Sequence, residues 1–95
     1  DRRFVVKTPS TAVRYFLNAT YAPVGESRFT SCEGCLSLPG RMFLVPRFKT
    51  VRVTGQELLV DKGFEITDVD FEESDHLYSA VFQHEIDHCR GVMID

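Results

Sequence analysis

Gln83-His84-Glu85-Ile86-Asp87-His88 is the stretch from which the rest of the chain can be read. Its two histidines are four positions apart. On an α-helix that spacing puts both rings on one face, about one turn apart, where two imidazoles can grip one metal ion. Glu85 lies between them, rotated by roughly 100° from His84, within reach of a water on that ion. His-Glu-x-x-His is the pattern of metal-assisted hydrolysis. The helix has signals at both ends. Ser74 or Asp75 can cap its start, Glu72 and Glu73 lie at its positive end, and Arg90 and Gly91 suit the last turn and the C′ position. Leu77, Val81, His84 and His88 fall on one stripe, so the histidines are expected to continue a buried apolar face.

Upstream of this helix the pattern is one of strands. Arg3 to Val6 and Ala12 to Asn18 read as strands separated by Thr8-Pro9-Ser10, and Asn18 to Ser31 reads as a loop with one irregular strand around Tyr21 to Val24. Leu38-Pro39-Gly40 reads as a turn, Met42 to Val45 as an apolar run, and Pro46 as an edge or bend. Phe48 to Thr54 has its β-branched residues on one face and is expected as a strand. A turn is expected at Gly55-Gln56-Glu57, a return strand from Leu58, another turn at Asp61-Lys62-Gly63, and alternation from Phe64 to Phe71. No internal repeat is visible. Several antiparallel strands followed by one C-terminal helix make an α+β fold.

With 95 residues, one domain spanning residues 1–95 and one modest core are expected. At 43% hydrophobic and 26% charged residues the composition is that of a soluble globular protein. The net charge of −3 disfavours a role built on nucleic-acid phosphates, and the apolar runs are too short for a bilayer, so no membrane partner is expected. Cys32, Cys35 and Cys89 are an odd, sparse set, which points away from a secreted disulfide framework and to a reducing compartment. The chain opens on Asp1-Arg2-Arg3 just before Val5-Val6, as a segment already entering a strand, so an upstream part is expected.

A catalytic site of this kind takes three protein ligands and keeps a fourth position open. Only seven residues follow His88, and Asp95 among them would have to fold back across Gly91, which is disfavoured. The third ligand is therefore expected upstream, from Cys35 or Cys32. Cys32-x-x-Cys35 as half of a structural zinc finger is disfavoured, because the gap to His84 far exceeds the roughly 12–15 residues a finger uses. As a redox pair it lacks a βαβ setting. Cys32 is expected as a small residue packed in its strand and Cys89 as a helix residue beside the site. Leu77 and Val81 are core residues or the lining of a pocket for an apolar side chain. Glu33 and Arg47 are either solvated or paired to brace the Cys35 loop.

Glu33-Gly34-Cys35-Leu36-Ser37, followed some fifty residues on by Gln83-His84-Glu85-Ile86-Asp87-His88, resembles the peptide deformylase family. Pro46-Arg47 and Gly91-Val92-Met93-Ile94-Asp95 resemble it too, so the likeness covers essentially the whole chain. It implies that Cys35, His84 and His88 hold one divalent ion. Ferrous iron is expected, with Zn2+, Ni2+ or Co2+ able to occupy the site. It implies removal of the formyl group from the N-terminal formyl-methionine of nascent polypeptides, at the ribosome, in a bacterial cytoplasm or in a mitochondrion or plastid. Glu85 would be the general acid/base for a metal-activated water. The Leu36 N–H would be an oxyanion donor, and Gly34, Leu36, Leu77 and Val81 would bind substrate.

One part of the family pattern has no counterpart here. The family's earlier Gly-x-Gly-x-Ala-Ala-x-Gln run, whose Gln helps bind the formyl oxygen, does not occur; Gln56 and Gln83 are the only glutamines. The resemblance therefore implies a deformylase-like domain lacking its N-terminal part. The alternative is a catalytically impaired metal-binding relic. A zinc metallopeptidase is a third reading, which Cys35 as a ligand disfavours.

Overall fold

The computed structural model describes residues 2–8, 12–35 and 38–92, with Cys35 described through its backbone alone. Strands β1 (Arg3–Lys7), β2 (Val13–Pro23), β3 (Arg28–Cys35), β4 (Leu38–Phe48) and β5 (Val51–Leu59) come first. A 3-10 turn at Val60–Lys62, strand β6 (Glu65–Glu73) and helix α1 (His76–Cys89) follow. One sheet has the order β1-β2-β5-β6 and a second pairs β3 with β4, all antiparallel. This is the expected α+β arrangement of antiparallel strands with a C-terminal helix.

Alternation puts Phe4 and Val6 of β1, Phe16 of β2, and Val51 and Val53 of β5 on the face that α1 covers with Phe82 and Ile86. The rings interlock: Phe82 meets Phe16 and Phe71 edge-on at 5.2 and 5.3 Å, and Phe4 stacks on Phe16 at 5.4 Å. Such pairs add about 0.5–1.5 kcal/mol each beyond the area they bury.

Several expected boundaries move, each for a local reason. The loop expected over 18–31 is mostly strand, because β2 continues to Pro23 and β3 begins at Arg28. A bulge between Leu17 and Thr20, with Asn18 at φ 52, shifts the register and breaks the alternation that would have announced the strand. The turn expected at Gly55-Gln56-Glu57 is absent, and β5 runs straight through it. Gly55 lies where the bulged β2 crosses closest, and a Cβ there would stand 2.7 Å from the Ala19 Cα. The reversal comes instead at Val60–Lys62, ended by Gly63 at φ 74, where a turn was also expected. Leu38-Pro39-Gly40 and Pro46 lie inside β4. Pro46 is tolerated because β4 pairs on one side only, with β3, so a missing N–H need not cost a ladder bond. The strand expected over 48–54 is split by a bend at 49–50. Phe64 and Ile66 point outward, whereas Val69 and Phe71 pack against the core.

Helix α1 starts and stops as its signals indicate. The Asp75 carboxylate accepts from the Leu77 and Tyr78 N–H groups at 3.0 and 3.3 Å. At the other end Gly91 takes φ 82, and the Gly91 and Val92 N–H groups return to the His88 and Asp87 carbonyls. The buried face is not the expected stripe. It consists of Ser79, Ala80, Phe82, Gln83 and Ile86, while Leu77 is 64% exposed, His88 is exposed, and Val81 and His84 are half-buried. Phe82 and Ile86 offer more apolar area to the sheet and take the core, which turns the histidine stripe toward β3. Gln83 fixes that rotation. Its amide accepts from the Phe48 N–H at 3.0 Å and donates to the Phe48 carbonyl at 2.9 Å, to which the Ser79 hydroxyl also donates. The end of β4 is thus tied to the residue before His84.

Candidate metal centre

The stripe of α1 that faces β3 makes one wall of a groove, and residues Ser31 to Gly34 make the other. Leu77, Ala80, Val81, His84 and Glu85 line the helix side of a cavity of about 260 Å³. The expected residues Gly34, Leu77, Val81, His84 and Glu85 therefore meet in one place. His88 lies one turn beyond His84, on the exposed part of the same helix. Cys35 ends β3 opposite Leu38, after a register shift that follows Gly34. Its side chain, and the whole of Leu36, lie outside the described residues.

Glu33 is the polar centre of the groove. Its carboxylate takes two hydrogen bonds from Arg47, Nε at 2.8 Å and Nη2 at 2.6 Å. The same carboxylate stands 2.8 Å from His84 Nδ1. Arg47, only 5% exposed, reaches on with Nη1 to Asp87 Oδ2 at 3.0 Å, and Tyr21 donates its hydroxyl to Asp87 Oδ1 at 2.8 Å. Burial alone would raise the Glu33 carboxyl, but hydrogen bonds from Arg47, His84 and Ser31, with the Arg47 charge, bring it below its ordinary range. Burial likewise works against the Arg47 cation, and Glu33 and Asp87 together push its pKa up. Burial, then the bond to Asp87, pushes the Tyr21 phenol up to about 12.

The residues present fit a divalent ion by the chemistry of their donors. A ligating histidine commonly gives its second ring N–H to a carboxylate, which fixes the tautomer and leaves the other nitrogen as the donor to metal. Glu33 stands in that relation to His84: with the proton on Nδ1, the lone pair is on Nε2. His88, exposed on the next turn, would supply a second imidazole. Among the described residues no three His, Cys, Asp or Glu side chains converge on one point, and the Cys35 thiol is not among them.

Two sequence expectations change at this site, and two that were left open are decided. Cys32 is not packed in its strand but exposed, lining the groove. Outward alternation on an edge strand put it there. Cys89 turns away from the groove to pack against the core, with Sγ 3.8 Å from the Arg3 carbonyl, and burial pushes its thiol up. Leu77 is not core; it is an exposed part of the groove wall. Glu33 and Arg47, read as either solvated or paired, are paired. Ser31, Asp87 and Tyr21 were not anticipated. Asp87 carried a signal, since three positions after His84 it shares a helix flank with it. Nothing in the sequence marks Ser31 or Tyr21.

Comparison with known proteins places this arrangement. The sequence model of the family described as polypeptide deformylase matches residues 1–95. Peptide deformylase 2 of Ralstonia nicotianae is 31% identical over 85 residues, covering 90% of this chain and 44% of the relative. A peptide deformylase of Parafrankia sp. is 33% identical over 92 residues, covering 97% of this chain and 46% of the relative. The crystal structure of peptide deformylase from Thermotoga maritima superposes with a TM-score of 0.77 at 29% identity, over 99% of this chain and 58% of that one. The chain thus spans less than half the length of these two curated relatives. With the match running from end to end and the fold shared, the chain belongs to the peptide deformylase family.

Proposed function

We propose that this chain carries the metal-binding and acid–base part of a hydrolase that removes the N-formyl group from the N-terminal formyl-methionine of nascent polypeptides. The observation that carries the reading is the Glu33 carboxylate on His84 Nδ1, inside a groove that also holds Glu85. Cys35, His84 and His88 would hold one divalent ion, with ferrous iron first and Zn2+, Ni2+ or Co2+ as alternatives. Such an ion, when bound, acidifies a water and polarises a carbonyl oxygen.

The remaining work belongs to the chain's own side chains. Glu33, held by Arg47, keeps the His84 ring turned with Nε2 free. Glu85 takes a proton from the attacking water and delivers it to the leaving amine, a role worth on the order of 10²–10⁴-fold. Leu77, Ala80 and Val81 give the groove an apolar wall for the methionine side chain, and Gly34 lets the substrate backbone lie close to β3. The Leu36 N–H is the proposed oxyanion donor. Substrate delivery at the ribosome, in a bacterial cytoplasm or an organelle, belongs to the same reading. Among the described residues no helix is long and apolar enough to cross a membrane.

The test is formate release from a formyl-Met peptide, by the 95-residue chain alone and with a segment bearing the Gly-x-Gly-x-Ala-Ala-x-Gln run added in cis or as a separate peptide. The chain alone is expected to bind metal and turn over slowly. One preorganised oxyanion donor is worth about 10²–10³ in rate, and the added segment should restore it. No activity with the segment present would discard the deformylase reading in favour of a metal-binding relic.

A further inference from the structure

We propose that Tyr21 is the positioning residue that holds the His84 ring in its ligating orientation, acting through Asp87, Arg47 and Glu33. The proposal rests on the reading of His84 as a metal ligand, but its first readout does not need the metal. Tyr21 stands on β2, in the four-stranded sheet, half-buried and packed against the core. It is 66 residues from Asp87 in sequence and touches nothing in the groove.

Its leverage comes from how the two carboxylates and the guanidinium share their atoms. Asp87 has one oxygen on the Tyr21 hydroxyl, at 2.8 Å, and the other on Arg47 Nη1, at 3.0 Å. Arg47 spends its Nε and Nη2 on the two oxygens of Glu33. A guanidinium is planar and rigid, so its bonds to Asp87 and to Glu33 cannot be adjusted independently. Glu33 in turn presents Oε1 to His84 Nδ1 at 2.8 Å. Each bond fixes the direction of the next, and the series crosses from the large sheet through the helix to the small sheet and back to the helix. Without the phenol hydroxyl, Asp87, 17% exposed, has water as an alternative partner and can swing. Arg47 then loses one of three anchors, and the Glu33 carboxylate can rotate off the His84 ring. The phenol is a dependable donor, since its pKa lies far above the neutral range.

Tyr21→Phe keeps the ring and its packing and removes only the hydroxyl. The experiment compares the parent chain, Tyr21→Phe, Tyr15→Phe and Glu33→Gln, and the double variant of Tyr21→Phe with Glu33→Gln. Long-range ¹H–¹⁵N spectra of the metal-free chain, about two units above the ordinary histidine range, report the His84 tautomer. Its signals are identified by their loss in His84→Asn. Titration with Co2+ alone gives affinity. The parent should show the proton on Nδ1. Tyr21→Phe should give a mixed tautomer and weaken Co2+ by about three- to tenfold, short of the 10–100-fold of direct outer partners. Tyr15→Phe, on the far face of the sheet, should change neither. In the Glu33→Gln background the tyrosine substitution should add nothing, which a merely loosened fold would not reproduce. An unchanged tautomer with Co2+ affinity within twofold of the parent overturns the proposal, as does an equal additional loss in the Glu33→Gln background. A tautomer shift in a chain that binds no Co2+ at all would support the positioning role and discard the metal reading instead.

Discussion

Replacing Glu33 by glutamine separates what its carboxylate does for the fold from what it does for the groove. Glutamine keeps the shape, but one carboxylate oxygen becomes an N–H₂ group. That donor must face either Arg47 or His84 Nδ1, both of which also donate. Arg47, 5% exposed, then keeps only Asp87 as a charged partner among the described residues. Breaking a buried ion pair by removing one member costs about 3–5 kcal/mol. With Asp87 retained and one amide oxygen still accepting, about 2–3 kcal/mol is the expected loss. For a domain of this size 1 kcal/mol moves the melting temperature by about 4–8 °C, so Glu33→Gln should melt about 8–24 °C lower. The double variant Glu33→Met with Arg47→Met removes both charges, and apolar replacement of a buried pair is often neutral or stabilising. It should recover much of the melting temperature while leaving His84 without its carboxylate. Metal affinity should therefore fall about 10–100-fold in both variants, whatever the stability. Calorimetry and Co2+ titration on the same samples make the comparison. Glu33→Gln melting within about 3 °C of the parent would refute the stability argument, and a double variant with parental Co2+ affinity would refute the orienting role.

Other expectations can be checked on the same chain. Cys35→Ser should lose the one metal ion per chain under anaerobic metal analysis, whereas Cys32→Ser, altering an exposed groove residue, should retain it; equal retention would remove Cys35 from the ligand set. Glu85→Gln, with the segment bearing the Gly-x-Gly-x-Ala-Ala-x-Gln run added, should keep its metal and lose about 10²–10⁴-fold in formate release; an unchanged rate would discard Glu85 as the proton carrier. Gly55→Ala should destabilise by about 1–3 kcal/mol through overpacking, because the new Cβ meets the Ala19 backbone at 2.7 Å. Urea denaturation with an unshifted midpoint would mean that β2 yields freely at its bulge.

The features legible in the sequence are those whose physics is local. The two histidines and Glu85 need only helical periodicity to be read as one unit. Ser74 or Asp75 as cap and Gly91 as C′ residue follow from the backbone groups that a helix end leaves unpaired, and the strands that hold Val6, Val51 and Val53 follow from their β-branched residues. Strand limits were less legible where a tertiary contact overrode the local signal. Gly55 is a turn former by type, yet it sits mid-strand because another backbone crosses there. Asn18 broke the alternation of β2 without ending it. Which stripe of α1 meets the core was settled by competition between two adjacent faces, and Phe82 with Ile86 prevailed over Leu77 with Val81. The series from Tyr21 through Asp87, Arg47 and Glu33 to His84 joins residues up to 66 positions apart. No pattern within a strand or a helix encodes such a meeting, because a hydrogen bond depends on where atoms arrive and not on how far apart their residues lie along the chain. Sequence alone thus determined the family, the helix and the His-Glu-x-x-His residues it carries; only the packing of two sheets around that helix decided which side chains meet His84.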